Sequence, residues 1–121
     1  LSYQQELQDS VNRSRISTGA SPNFIHSLDA AALTFTINKC LDTNMMDFSM
    51  VHDSYGTHSP NMGIMSHTLR EAFVDMYQKY DVLQELRDHA VTVLGDSSIP
   101  EPPTKGSLDL SRVLDSQYFF A

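Results

Sequence analysis

The sequence predicts an α+β fold, in which helices pack around one antiparallel β-hairpin. Apolar residues recur at helical spacing in three separate segments. Between the first two of these segments, Phe48 and Met50 alternate with Ser49 and Val51, which is the period of a strand, and Gly56 then lets the chain bend. With 121 residues, the chain suits one small domain with a modest core.

The first element is predicted to be a helix from Ser21 to about Asp42. Residues 1–20 are polar and mix two periodicities, so they form a poorly assigned N-terminal segment. Ser21 followed by Pro22 is typical of a helix start, because serine caps the first turn and proline fits the first helical position. The apolar positions of this helix are Phe24, Leu28, Ala31 and Phe35.

The hairpin comes next, and a second helix follows it. Residues 52–58, HDSYGTH, supply the turn and the start of the second strand. Ser59 and Pro60 then repeat the helix-start signal. The apolar stripe of the second helix is Met62, Met65, Leu69, Phe73, Met76 and Tyr80.

A third helix and an irregular C-terminal region complete the predicted fold. Asp81 and Gln84 resemble a capping box, and Gly95 is a stop signal. Residues 96–106 hold three prolines and predict an extended surface connection, after which residues 108–114 predict a short last helix. The third helix is expected to face inward through Leu83, Leu86, Ala90 and Leu94.

Composition excludes several functions for the chain alone. The formal net charge is −7, with 8 basic and 15 acidic residues, whereas gripping nucleic acid requires clustered cations. Cys40 has no second cysteine with which to form a disulfide, and we expect its thiol to be buried. The sequence has no apolar run of about 18 residues, so we expect no membrane partner.

His52 and Asp53 are the strongest candidates for chemistry. A carboxylate at the tip of a hairpin can coordinate a hard divalent cation, although an Asp there can also simply cap the turn. By its residue type alone, His52 is better interpreted as a hydrogen-bonded structural histidine. His26 lies three residues before Asp29, so the two side chains could pair on the helix. The spacing of His52, His58 and His67 does not support a zinc site.

Four segments, in order, resemble the single-subunit, phage-type RNA polymerases. Residues 52–58 resemble motif C of that family, and the other three are SPNFIHSLDAAAL at 21–33, LREAFVDMY at 69–77 and SQYFFA at 116–121. The resemblance implies that residues 21–121 are a C-terminal palm fragment, with a motif C hairpin and a C-terminal foot. The chain is short and starts without methionine, so we expect an N-terminal polymerase portion to be missing from it.

The resemblance also implies a function. The family transfers nucleotidyl groups with two Mg²⁺ ions, and Asp53 would be one of the metal-binding carboxylates. His52 would position the reacting groups, and His26 would approach the minor-groove side of the template–product duplex. Phe120 and Ala121, in the foot, would fold back toward the active site, although a purely anchoring role is equally compatible with them.

The expected partners are those of a complete DNA-directed RNA polymerase: DNA template, RNA transcript and nucleoside triphosphates. The second metal-binding aspartate of the family lies upstream of this chain, so we expect the isolated chain to be inactive. We expect it in the cytoplasm of a phage-infected or prophage-bearing bacterium, with a mitochondrion or plastid as the alternative.

Two other functions remain open from the sequence. An HD-type metal phosphohydrolase would use His26, the His52–Asp53 pair and a later Asp such as Asp75, but that class places its HD pair on a helix. A non-enzymatic acidic interaction module would require the motif matches to be accidental, and it predicts no dependence on a divalent metal.

Overall fold

A computed structural model describes residues 11–119 of the chain and confirms the predicted α+β class. The described part holds three helices, one two-stranded antiparallel hairpin and two short 3-10 turns. The helices are α1 (Arg13–Asp42), α2 (Met62–Lys79) and α3 (Val82–Leu94); the strands are β1 (Ser49–Val51) and β2 (Ser54–Gly56); the 3-10 turns are Ser59–Asn61 and Leu110–Val113.

Helix α1 begins eight residues earlier than predicted, so the predicted start at Ser21 is wrong. Asn12 caps the helix, and its side-chain oxygen accepts a hydrogen bond from the Arg15 N–H at 3.0 Å. Pro22 lies inside the helix. It removes the hydrogen bond to the carbonyl of Thr18, but Thr18 is exposed, so water can bind that carbonyl.

The core forms where α2 crosses the C-terminal half of α1. Met65, Leu69 and Met76 of α2 are buried, which confirms half of the predicted stripe; Phe73 and Tyr80 are half-buried, and Met62 is 46% exposed. Thr36 and Cys40 of α1 are fully buried, as expected for the thiol. Burying methionine and leucine side chains removes apolar surface from water at about 25 cal/mol per Å², and this holds the two helices together.

The hairpin packs on the same core. Phe48, Met50 and Tyr55 lie against a cluster of Cys40, Met45 and Met65. No pattern in the sequence predicts burial of Met45. It is buried because the chain reverses directly after α1, and the Met45 N–H donates to the Cys40 carbonyl at 3.2 Å.

Helix α3 has the predicted ends but not the predicted burial. Asp81 caps it by accepting from the Gln84 N–H at 3.3 Å, and Gly95 ends it in the left-handed region at φ 65°. However, Leu86 is 47% exposed and Leu94 is 70% exposed, so the expectation that this stripe faces inward is wrong. An amphipathic helix needs a second surface to bury its apolar face, and residues 11–119 place none there.

The proline-rich connection is extended, as predicted, and two basic side chains hold it. The Arg87 guanidinium donates to the Ile99 carbonyl at 3.3 Å and pairs with Glu101 at 2.7 Å. Lys105 pairs with Asp81 at 2.8 Å, next to the start of α3. These contacts connect the loop to α3.

The C-terminal segment is fastened to α2 by Arg70. The predicted helix at 108–114 is only a 3-10 turn, Leu110–Val113. The Arg70 guanidinium donates to the carbonyls of Val113 at 2.9 Å and Ser116 at 2.5 Å, and it lies 5.6 Å from the centre of the Phe119 ring. Phe119 also meets Phe73 edge to face at 4.9 Å. An anchoring role therefore holds for the described part of the foot, whereas Phe120 and Ala121 lie outside the described residues.

Much of the apolar surface of the chain is open. Among the described residues, Ile25 of α1 is 58% exposed, Val51 of β1 is 64% exposed and Leu94 of α3 is 70% exposed. Phe24, Ile25 and Leu28 of α1 line an apolar groove of about 530 Å³ together with Phe73 and Tyr77 of α2. Within the described residues, the hairpin has no third strand.

We expect Arg70→Met to release the C-terminal segment from α2. The variant loses two hydrogen bonds from a charged, half-buried donor, at a cost of about 2 kcal/mol. Hydrogen–deuterium exchange should become faster at residues 110–119. Arg112→Met, the same change at an exposed position, serves as the control. Equal exchange in the two variants would contradict the anchoring role.

We also expect the isolated chain to self-associate through the hairpin, because an unpaired strand edge is a template for pairing. Sedimentation velocity should show species larger than a monomer. Val51 is 64% exposed on β1, so Val51→Lys should reduce association, whereas Val93→Lys on α3, where the valine is 66% exposed, should not. A stable monomer would contradict the expectation.

Candidate active site at the hairpin turn

His52 and Asp53 form the two-residue turn between β1 and β2, as predicted. Val51 pairs with Ser54 across the turn. His52 takes φ 53°, in the left-handed region, which costs a residue with a side chain about 1–2 kcal/mol. The surrounding structure must hold this conformation, and such positions cluster at functional sites.

The position of this pair excludes the phosphohydrolase alternative. That class needs the His–Asp pair on a helix, whereas here the pair lies between two strands. Asp75, the later aspartate of that hypothesis, forms an ion pair with Lys39, which also lies 3.9 Å from Glu71. Asp75 therefore joins α2 to α1 and does not contribute to a site with His52.

Asp53 is exposed, so its carboxylate is open to a cation from solvent. A carboxylate oxygen is a hard donor, and Mg²⁺ binds proteins through one or two carboxylates while keeping water or phosphate at its other positions. In residues 11–119, no group of three or more His, Cys, Asp or Glu side chains is arranged to hold a metal ion. The donor chemistry of Asp53 thus fits Mg²⁺ as one ligand of a larger site.

The remaining histidines do not gather around His52. His58 lies 3.7 Å from Asp47, and His67 lies 3.4 Å from Glu71, one turn away on α2. His26 is exposed on α1, and none of the hydrogen bonds or ion pairs between described residues joins it to Asp29, so the predicted pair is wrong. The role of His26 near nucleic acid stays a prediction.

A small cavity of about 220 Å³ lies where α1, α2 and the hairpin meet, and its lining includes Asp29, Tyr55 and Tyr77. Burial raises the pKa of the Tyr55 hydroxyl, the negative charges of Asp29 and Asp53 raise it further, and the polar side chain of Thr36 opposes this rise. Burial and Asp29 likewise raise the pKa of Tyr77. Both tyrosines are thus neutral at ordinary pH.

Three residues around the site were not predicted from the sequence: Thr36, Tyr55 and Arg70. Thr36 and Tyr55 line the cavity between α1 and the hairpin, and Arg70 connects α2 to the foot. A polar residue on an otherwise apolar helix face was the available signal for Thr36. Nothing local marked Arg70, because its partners lie more than forty positions away.

Known proteins similar to this chain share one activity in their names. The family model of the DNA-dependent RNA polymerases matches residues 1–98. DNA-directed RNA polymerase 1, mitochondrial, of Arabidopsis thaliana is 39% identical over 112 residues, which are 93% of this chain and 11% of that protein. DNA-directed RNA polymerase 2B, chloroplastic/mitochondrial, of Nicotiana tabacum is 38% identical over 121 residues, 99% of this chain and 12% of that protein.

A shorter relative matches as well. DNA-directed RNA polymerase 1A of Nicotiana tabacum is 38% identical over 120 residues, which cover 99% of this chain and 76% of that protein. The chain thus spans 11% and 12% of the length of the two longer relatives and 76% of the length of the shorter one. The family model covers more than half of the chain, and the motif C hairpin lies within the matched range. The chain therefore belongs to the DNA-dependent RNA polymerases, in the single-subunit, phage-type family that its motifs resemble.

Proposed function

We propose that the chain is the C-terminal catalytic segment of a DNA-directed RNA polymerase and that Asp53 is one of its metal-binding carboxylates. The observation that carries the proposal is the exposed Asp53 at the turn of a hairpin, inside a segment that matches the polymerase family. The acidic interaction module is set aside, because it requires the motif matches to be accidental.

Asp53 would hold Mg²⁺ through its carboxylate oxygens, together with ligands from outside this chain. When bound, the metal ions of such a site activate the attacking 3′ hydroxyl and neutralise the triphosphate. The hairpin turn presents the carboxylate to solvent, and the packing of Phe48, Met50 and Tyr55 keeps the strands behind it in place. His52, next in the chain, would orient the reacting groups at the transcript end.

The other partners follow from charge and length. With a net charge of −7, this segment supplies carboxylates and scaffold, and the cations that grip DNA template, RNA transcript and nucleoside triphosphates belong to an N-terminal portion. His26 would meet the template–product duplex. Phe120 and Ala121 would extend the foot that Arg70 and Phe73 fasten to α2.

We propose a mitochondrion or plastid as the place of action. The relative from Arabidopsis thaliana has a mitochondrial name and polymerase 2B of Nicotiana tabacum a chloroplastic/mitochondrial one, which supports the organelle alternative and not the expected bacterial cytoplasm. No helix of the described chain is long and apolar enough to cross a membrane.

We expect Asp53→Asn to abolish elongation by the complete polymerase while promoter binding stays nearly intact. The change keeps the shape of the side chain and removes its charge from the metal site, which should cost several kcal/mol of transition-state stabilisation, on the order of a thousandfold in rate. Single-turnover nucleotide incorporation measures the loss.

Asp75→Asn is the matched control. It removes the same charge from an exposed residue whose ion pair with Lys39 contributes about 0–1 kcal/mol, so its elongation rate should match the wild type. Wild-type elongation by Asp53→Asn would refute the metal role, and an equally large loss in Asp75→Asn would show that the effect of removing a carboxylate charge is not specific to Asp53.

We expect the isolated chain to show no templated incorporation of ribonucleotides and to bind Mg²⁺ with an affinity of about 1 mM or weaker, because one carboxylate supplies few protein ligands. A primer-extension assay and calorimetric titration with Mg²⁺ check the two parts. Nucleotide incorporation by the purified chain would show that the site is complete without an N-terminal portion.

A further inference from the structure

The hairpin that carries Asp53 has little rigidity of its own. Each strand is three residues long, and a two-stranded hairpin is marginally stable at best in water. Its turn also contains His52 in the left-handed region. The position of the Asp53 carboxylate must therefore depend on contacts beyond the three residue pairs of the ladder.

One such contact closes the open end of the hairpin, which is the Ser49–Gly56 pair and the flanking residues Asp47 and Thr57. The Thr57 hydroxyl donates a hydrogen bond to the Asp47 carbonyl at 2.8 Å. This bond joins the segment that enters β1 from α1 to the segment that leaves β2 for α2. The side chains of Asp47 and His58 lie 3.7 Å apart across the same end, but both are largely exposed, so this pair contributes little.

Gly56 lets the two strands approach closely at the open end. A Cβ atom on residue 56 would lie 3.0 Å from the Ser49 carbonyl oxygen and 3.5 Å from the Ser49 Cβ. The first distance is shorter than an ordinary van der Waals contact, so a larger residue would displace the Ser49 carbonyl by a few tenths of an ångström. Glycine at this position therefore sets the strand spacing that the neighbouring Thr57 bond requires.

The open end controls where the turn stands. Strands rise about 3.4 Å per residue, so three ladder pairs put the turn about 10 Å from the open end, and a tilt of about ten degrees there moves the turn by about 2 Å. Phe48, Met50 and Tyr55 pack on the core, but apolar contacts have little directional preference. A hydrogen bond fixes direction as well as distance. The Thr57 bond is therefore suited to fix the angle between the strands.

We propose that Gly56 and Thr57 are positioning residues for nucleotidyl transfer, which close the open end of the hairpin and so set where the Asp53 carboxylate stands. This inference rests on the proposed metal role of Asp53. Both residues follow Asp53 within the motif HDSYGTH, so the motif supplies the carboxylate and part of the support that holds it. Their role is mechanical and acts through the backbone of the hairpin.

The first test compares Thr57→Val with Thr57→Ser in the complete polymerase. Valine keeps the branched shape and removes the hydroxyl, whereas serine keeps the hydroxyl. We expect kcat of Thr57→Val to fall about tenfold, because a misplacement of about 1 Å at a reaction centre costs up to about a hundredfold in rate. The Mg²⁺ concentration for half-maximal rate should rise several-fold, whereas KM for nucleotides and promoter affinity should stay unchanged.

Thr57→Ser should return kcat and the Mg²⁺ requirement to within about twofold of the wild type. Thr92→Val is the matched control, because the Thr92 hydroxyl also donates to a backbone carbonyl, that of Asp88, at 2.8 Å, but on α3. Its variant should behave as the wild type. A Thr57→Val rate equal to that of Thr92→Val, or no recovery with serine, would overturn the role of Thr57.

Gly56→Ala tests the close approach of the strands. Where space is open, replacing glycine by alanine stabilises a protein, because it restricts the unfolded chain. At residue 56 the added Cβ meets the Ser49 carbonyl, so we expect the opposite sign, with kcat about tenfold lower or less. Gly63→Ala is the control, because no described atom lies within 4 Å of a Cβ at residue 63. Equal rates in the two alanine variants would overturn the role of Gly56.

Hydrogen–deuterium exchange at residues 49–57 is a readout that needs neither metal nor turnover. It should be faster in Thr57→Val and Gly56→Ala and unchanged in the serine variant and in both controls. Exchange in α2 should stay as in the wild type, which shows that the variants are folded. If Gly56→Ala also speeds exchange in α2, the comparison of Thr57→Val with Thr57→Ser decides.

The outcomes distinguish this inference from the proposed function. If Asp53→Asn is inactive while Thr57→Val and Gly56→Ala match their controls in kcat, Mg²⁺ requirement and exchange, the positioning inference is wrong and the metal role of Asp53 stands. If Asp53→Asn elongates normally, the metal role is wrong and the inference fails with it.

Discussion

The packing of α2 across the C-terminal half of α1 supports every other part of the described structure. Thr36 and Cys40 from α1 and Met65 and Leu69 from α2 are all buried in this contact. The hairpin rests on one end of this contact, through Met65, and the foot is fastened along α2 at Arg70. If the two helices separated, the Asp53 turn would lose its support on both strands.

Around this contact, the segment is open. Considering residues 11–119 alone, the α3 stripe and the groove beside Phe24 expose apolar surface, and the hairpin pairs with no further strand. A domain that folds alone usually covers such surfaces, since exposed apolar area brings association. Such exposed surface is expected of a segment that spans 11% and 12% of the length of its longer relatives, because the rest of those relatives can cover the matching surfaces.

The basic side chains and the Asp53 carboxylate have different surroundings. The basic residues of the described chain are mostly engaged in structure: Arg70 holds the foot, Arg87 holds the proline-rich connection and Lys39 joins α1 to α2. Asp53 is exposed at the turn instead, and its charge reaches Tyr55 beneath it. A surface that is acidic overall is poorly suited to hold a polyanion.

Local signals in the sequence determined several of the elements and both ends of α3, but not the start of α1 or the nature of the last turn. Asp81 and Gly95 mark α3, Pro60 marks the approach to α2, and the segment around His52 and Asp53 makes a hairpin turn. These signals act through hydrogen bonds and backbone preferences within about four residues, so they can be interpreted without the rest of the chain. The motif HDSYGTH at residues 52–58 indicated the polymerase family, and it lies within the range that the family model matches.

Only the tertiary structure decided which faces are covered and which distant residues meet. Pro22 became an internal residue of α1 because its neighbours face water, Met45 became core because the chain turns back beneath the hairpin, and the α3 stripe stayed exposed because nothing described packs on it. Arg70 donates to the carbonyl of Val113, 43 positions away, and Thr36 and Tyr55, 19 positions apart, line the same cavity. Such contacts depend on how helices cross, which periodicity along the chain does not encode.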